Sequence, residues 1–260
     1  MPPKSKKADP KPPKPTTQAT PNWPPLRPLL PAADLSLTPL LTDQIYLIRN
    51  FLPGTLCKTY ASFLASLPLT TTPGKPKKDE ALRVNDRFQI DDSRFADMLW
   101  ETTALKELVT TRYAEEEEDQ EESSPAQIAE GARQLWGGEP LGLNSNIRIY
   151  RYSAGQFFGQ HYDEANNVTF TPASTKAKAK AVAGRTTWTL LVYLTSCTGG
   201  ETVFYPEATR ENRRPEPIAV SPEVGMALLH RHGDHCMIHE GMEVTGGEKW
   251  VLRSDLVVPR

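Results

Sequence analysis

The segment 144-NSNIRIYRYSAGQFFGQHYD-163 sets the reading of the C-terminal half of the chain. Within it, NIRIYRYS and FFGQHY are short runs rich in Ile, Tyr and Phe, parted by Ala-Gly-Gln, the composition of two strands around a turn. The same grammar continues downstream in TTWTLLVYL (186–194), ETVFYP (201–206), GMALLH (225–230), CMIHE (236–240) and KWVLRSDLVV (249–258). About seven short strands in succession predict an antiparallel double-sheet jelly roll, a mainly β domain with flanking helices (α+β).

Ahead of this half, IYLIRNF (45–51) reads as a strand, Pro53-Gly54 as a turn, and TLCKTYASFLASL (55–67) as a helix. A second helix is expected over 93–111, where Phe95, Met98, Leu99, Leu105 and Leu108 form an apolar stripe. The acidic stretch 115–124 reads as a solvated loop, and TPASTKAKAKAVAG, within 169–184, as a mobile loop beside the site. Residues 1–37 are dense in Pro, Lys, Thr and Ala, so they are expected as a disordered tail ahead of one domain over 38–260, with helical support at 38–143 and the jelly roll at 144–260.

Composition bounds the function. Of the 260 residues, 38% are hydrophobic and 24% charged, as in one soluble domain with tails. The net charge of −2 is a cancellation between an N-terminal lysine cluster and the acidic stretch, so it excludes no partner. No apolar run suits a membrane span or a secretory leader, and an intracellular site, cytoplasmic or nuclear, is expected. The basic PPKSKKADPKPPK (2–14) fits a nuclear signal, a nucleic-acid patch or a solubilising leader equally, and nothing else points to nucleic acid. Cys57, Cys197 and Cys236 lack disulfide or zinc-finger spacing.

The chemistry begins at His161 and Asp163. They lie two apart at the end of a β-like run, where alternate side chains share a face and can reach one metal ion. His239, in MIHEG, is the candidate third ligand from a distant strand. Two histidines and one carboxylate leave open positions on an octahedral ion, the need of a non-haem iron oxygenase. An isolated HxD pair is a weak signal. The strand after His239 strengthens it, because alternation puts Lys249, Val251, Arg253 and Asp255 on one face and Trp250, Leu252, Ser254 and Leu256 on the other. Were 2-oxoglutarate to chelate such an iron, its far carboxylate would need a buried cation and hydrogen-bond donors. Lys249 is the first choice, Arg253 the second, and the Tyr152 phenol a further donor, with a plain core tyrosine as the alternative.

HYD (161–163), GGETVF (199–204) and HEGMEVTGGEKWVLRSD (239–255) resemble the double-stranded β-helix domain of the prolyl 4-hydroxylase-like 2-oxoglutarate oxygenases over about residues 144–258, and the strand–turn–helix at 45–66 resembles the start of that family's fold. The resemblance implies iron on His161, Asp163 and His239, the 2-oxoglutarate carboxylate on Lys249, and Tyr152 at the family's barrel tyrosine. It further implies Fe(II), 2-oxoglutarate and dioxygen as cofactors, ascorbate as reductant, and hydroxylation of a C–H bond with release of succinate and CO2. The family-level substrate is a prolyl residue of a protein or peptide. A small molecule, another side chain, or a non-catalytic metal- or peptide-binding barrel are the alternatives, and the oligomeric state stays open. His230, His232 and His235 are expected at the surface or barrel rim, and Arg83, Asn85 and Arg87 at an exposed strand edge or the substrate entrance.

Overall fold

The computed structural model describes residues 19–72, 81–112, 125–172, 180–210 and 212–260. Its organising element is the strand Val244–Pro259, which pairs antiparallel with Val182–Tyr193 on one side and Asn146–Ser153 on the other. The main sheet runs in the order Thr38–Leu41, Ile45–Ile48, Ala227–Arg231, Val182–Tyr193, Val244–Pro259, Asn146–Ser153, Asp86–Asp91 and Thr70–Thr71. A second sheet faces it, ordered Ile218–Val220, Thr202–Tyr205, Ile238–Gly241, Phe157–His161 and Arg83–Val84. This is the expected jelly-roll arrangement of antiparallel sheets.

The alternation in KWVLRSDLVV separates two cores. Trp250, Leu252 and Leu256 join Phe95, Leu99, Trp100 and Trp136 in the layer between the main sheet and the helices Gly54–Leu64, Ser93–Thr102 and Pro125–Trp136. Val251 instead joins Tyr150, Tyr152, Tyr193, Phe204 and Leu228 between the two sheets. Each face therefore buries apolar area, and the polar residues on the inner face, Lys249 and Arg253, are carried into the interior with it.

Several expectations change. Residues 19–37, read as part of a tail, dock on the domain: Leu26, Leu35 and Leu37 are buried, Trp23 stacks on Phe95 at 4.0 Å and donates to Asp92, and Tyr60 donates to the Pro24 carbonyl. A few widely spaced apolar residues suffice here because they enter grooves made by other elements. The rest of that tail, 1–18, lies outside the described residues, as does the acidic stretch 115–124. The 93–111 helix is broken at Thr103, whose hydroxyl bonds the Leu99 carbonyl and the Leu105 amide, so the helix stops at Thr102 and restarts at Leu105.

The helix Pro125–Trp136 was not foreseen; it ends on Trp136, which is fully buried against Trp188 and donates to the Val109 carbonyl. The stretch expected as a loop over 169–184 is flanked by paired backbone, since Asn167–Phe170 lies against Val182–Arg185 in register; residues 173–179 fall outside the described part. No helix among the described residues is long and apolar enough to cross a membrane.

Candidate active site

His161 and His239 sit directly opposite each other on the paired strands Phe157–His161 and Ile238–Gly241, which brings their ring centroids to 4.2 Å. The first strand ends at His161, and the chain then turns Tyr162 to solvent while Asp163 points inward. One ligand atom from each of His161, Asp163 and His239 lies within 4.8 Å of the others; both histidine Nε2 atoms are 3.8 Å from the carboxylate.

The imidazole orientations suit a cation. His161 Nδ1 lies 2.9 Å from the Gly159 carbonyl and His239 Nδ1 3.0 Å from the Met237 carbonyl. A carbonyl can only accept, so Nδ1 carries the proton and Nε2 presents its lone pair to the shared space. Burial, then the neighbouring His239, pushes His161 down to about 4, and burial lowers His239 as well, so both rings are neutral near pH 7. Burial alone would raise the Asp163 carboxyl, but the Arg253 guanidinium and then the histidines hold it well below the usual carboxylate range. A neutral, neutral, anionic donor set of this kind fits a divalent metal.

Asp163 is held by groups beyond the triad. Thr189 donates to Oδ2 at 2.9 Å and Arg253 Nη2 approaches it at 3.0 Å. Arg253 Nε faces Asp255 at 3.5 Å, and Asp255 is met in turn by Arg148 at 3.0 Å and Asn144 at 3.3 Å. This buried chain of alternating charge fixes one carboxylate oxygen and leaves Oδ1 on the His161 side.

The same geometry separates the two cations that sequence reasoning left competing. Arg253 is neutralised by Asp163 and Asp255. Lys249 is 4% exposed, donates to the Gly200 carbonyl at 2.7 Å and to Thr202 at 3.4 Å, and has no ion pair among the described residues. Burial pushes its amine down to about 8. Tyr152, its cross-strand partner, lies under it, with the ammonium 5.6 Å from the ring, and the Tyr152 hydroxyl makes no hydrogen bond among the described residues. Gly200 makes the Lys249 contact possible: at φ +72° it has a backbone that side chains rarely adopt, and a Cβ there would lie 2.9 Å from Cys197 Sγ. His161, Asp163, His239, Lys249, Arg253 and Tyr152 all line one pocket of about 440 Å³, counted to its open mouth.

Two expectations about the remaining histidines are overturned. His230 and His232 are buried, at 1% and 4% exposure: His230 ends GMALLH, an interior strand of the main sheet rather than the start of a turn, and His232 just beyond it is held between Thr186 and Thr189; only His235 is exposed. Of the polar set before the jelly roll, Arg83 lies 4.8 Å from the Phe158 ring, beside the pocket, whereas Asn85 is buried against Thr72 and Arg87 pairs with Gln89. Sequence reasoning missed Thr189, Thr202 and His230. Thr189 was within reach of it, as a polar residue set among apolar ones in TTWTLLVYL.

Against this geometry stands the comparison of sequences: residues 147–254 match the 2OG-Fe(II) oxygenase superfamily. These residues resemble a 2OG-Fe(II) oxygenase domain. The cofactors implied by the superfamily are Fe(II), 2-oxoglutarate and dioxygen. No curated protein sequence matches the chain. Solved structures similar to it include a Pseudomonas putida prolyl-4-hydroxylase (16% identity, 84% of this chain and 94% of that one, TM-score 0.48). A Trichoplax adhaerens prolyl hydroxylase in complex with a hypoxia inducible factor peptide is 15% identical over 83% and 84% of the two chains, with a TM-score of 0.49. HygX of Streptomyces hygroscopicus, with nickel and 2-oxoglutarate bound, is 13% identical over 85% and 88%, with a TM-score of 0.43. Outside the matched residues lie the strands Thr38–Leu41, Ile45–Ile48, Thr70–Thr71, Arg83–Val84 and Asp86–Asp91 and the helices packed on the main sheet.

Proposed function

We propose that the protein hydroxylates a C–H bond of a prolyl residue in a protein or peptide, using iron held by His161, Asp163 and His239. The observation that carries this reading is the pairing, in one pocket, of a neutral–neutral–anionic donor set with a buried lysine that lacks an ion pair among the described residues. A structural lysine would bring its own carboxylate. Lys249 instead waits for one, with the Thr202 hydroxyl and the Tyr152 ring beside it.

When bound, Fe(II) supplies the redox chemistry that couples decarboxylation of 2-oxoglutarate by dioxygen, giving succinate and CO2, to insertion of one oxygen atom into the substrate. The chain's own residues do the rest. Lys249, Thr202 and Tyr152 anchor the distal carboxylate, which sets how far the 2-oxo acid reaches toward the triad. Arg253 and Thr189 fix Asp163 on one oxygen, and the Gly159 and Met237 carbonyls fix both imidazoles, so the ligands need little rearrangement to receive the ion. Phe158, stacked on the His161 ring, and Tyr150 give the pocket an apolar wall against which a pyrrolidine ring can pack, with Arg83 above both aromatics. Ascorbate serves as the external reductant.

The test is iron-dependent formation of succinate from 2-oxoglutarate by purified protein, alone and with proline-containing peptides. Peptide-stimulated succinate together with a mass gain of one oxygen on proline supports the whole reading. Succinate that peptides leave unchanged and that a small molecule stimulates replaces the substrate, and no iron-dependent binding of 2-oxoglutarate refutes the oxygenase reading of the site.

A further inference from the structure

His230 has no role in the iron triad, yet it is buried to 1% exposure and lines the same pocket. Its Nδ1 lies 3.2 Å from the Arg231 carbonyl, which places the ring proton there and leaves Nε2 as a bare acceptor. That Nε2 has no hydrogen-bond partner among the described residues and faces Asp163 Oδ2 at 3.4 Å. Two acceptors opposed in a dry interior are costly unless a cation lies near both. Arg253 reaches the carboxylate but makes no contact with the imidazole nitrogen.

A sulfur completes the group. One donor atom from each of His230, Cys236 and His239 falls within 4.8 Å of the others. The thiol is fixed by backbone rather than by chance. Gly233, at φ +73°, turns the chain so that its amide bonds the Asp163 carbonyl, its carbonyl receives the Cys236 amide, and the Asp163 amide points at Cys236 Sγ at 3.2 Å. In a tetrahedral zinc site, bonds of about 2.0–2.3 Å put neighbouring donors roughly 3.3–3.8 Å apart, inside the 4.8 Å that spans the three donor atoms here.

We propose that His230, Cys236 and His239 form a second metal site, for a thiophilic divalent ion such as zinc, that shares His239 with the iron triad so that the two ions exclude one another. The proposal rests on the iron reading of the triad only for that exclusion. Oxygen- and nitrogen-preferring ions are drawn to His161, Asp163 and His239, whereas an ion that favours sulfur is drawn across His239 to Cys236, which releases its thiol proton to solvent on binding. The consequence is an oxygenase whose metal centre is switched off by capture of one ligand rather than by blocking substrate.

The experiment is a titration of the metal-free full-length protein with Cd2+, read by the ultraviolet cadmium–thiolate charge-transfer band, and separately with Mn2+, read by the loss of free Mn2+ resonance signal. One equivalent of Cd2+ should raise the band and expel bound Mn2+ from the wild-type protein. Cys236→Ser should abolish the band, His230→Phe should weaken Cd2+ by at least about tenfold, and His161→Ala should lose Mn2+ binding while keeping the band. Circular dichroism of each variant separates loss of a ligand from loss of the fold, and Cys236→Ala serves if the serine variant misfolds. A wild-type protein without the band, a band undiminished in Cys236→Ser, or Cd2+ that saturates the band while Mn2+ stays bound overturns the proposal. A band with no Mn2+ binding in any form leaves the second site standing and removes the iron triad instead.

Discussion

Replacing Lys249 with methionine separates a structural cation from a waiting one. The ammonium is buried, and its pKa falls from 10.5 to about 8 because burial disfavours charge. That fall corresponds to about 3 kcal/mol carried by the ligand-free fold at neutral pH. Methionine keeps the stem and removes the charge, which recovers this cost but strips the Gly200 carbonyl of its donor, a loss of about 1–3 kcal/mol. The ligand-free variant is therefore expected to be as stable as wild type or up to about 2 kcal/mol more stable, the difference of those two figures. Its affinity for 2-oxoglutarate should fall by about 2 kcal/mol or more, at least about 30-fold in Kd, because a buried carboxylate loses its only cation.

The pH dependence has a definite sign. Between about pH 8 and 10.5 the fold binds fewer protons at Lys249 than the unfolded chain does, so wild-type stability gains from this group as pH rises through that window. The methionine variant should lack the gain. Urea unfolding at several pH values and calorimetric binding of 2-oxoglutarate in the presence of Mn2+ measure both halves. A variant that loses 2 kcal/mol of stability, the scale of an orphaned buried partner, and binds 2-oxoglutarate with unchanged Kd would refute the reasoning.

Three further outcomes follow from the same contacts. Arg253→Met leaves Asp163 without its cation and weakens the hold on Asp255, and should cost about 3–5 kcal/mol in urea unfolding, with Asp255→Asn added to it recovering part of the loss. Leu26→Ala should cost about 2–5 kcal/mol, seen as a lower Tm, and removal of residues 1–37 should destabilise the domain further, since Trp23, Leu35 and Leu37 leave with it. His161→Ala should keep the far-ultraviolet dichroism of the wild type while losing Mn2+ binding by calorimetry; unchanged Mn2+ affinity would remove His161 from the metal site.

Much of the architecture was legible because it is written in period-2 alternation. KWVLRSDLVV already divides into a face that packs on helices and a face that looks between the sheets, and Lys249 and Arg253 fall on the inner one. The spacing of His161 and Asp163 likewise announced two donors on one side of a strand end. The helix Pro125–Trp136 and the docked residues 19–37 were not legible, because their few apolar side chains find partners only in grooves built by distant elements. The burial of His230 was hidden by its neighbours: HRHGDH has the composition of a turn, but the strand Ala227–Arg231 runs inside the main sheet, paired on both sides, before the turn begins.

By itself, then, the sequence determined the strand pattern, the two-sided character of the last strand and the placing of His161 and Asp163 on one side of a strand end, since local alternation depends only on neighbours along the chain. It left Lys249 and Arg253 as rivals for one carboxylate. Only the tertiary structure set them apart, by placing Asp163 and Asp255 against Arg253 and, among the described residues, no ion pair on Lys249. The physical reason is that an ion pair is a property of distance in space, fixed by strand register across the sheets, and Asp163 and Arg253, 90 positions apart, share no local signal of it.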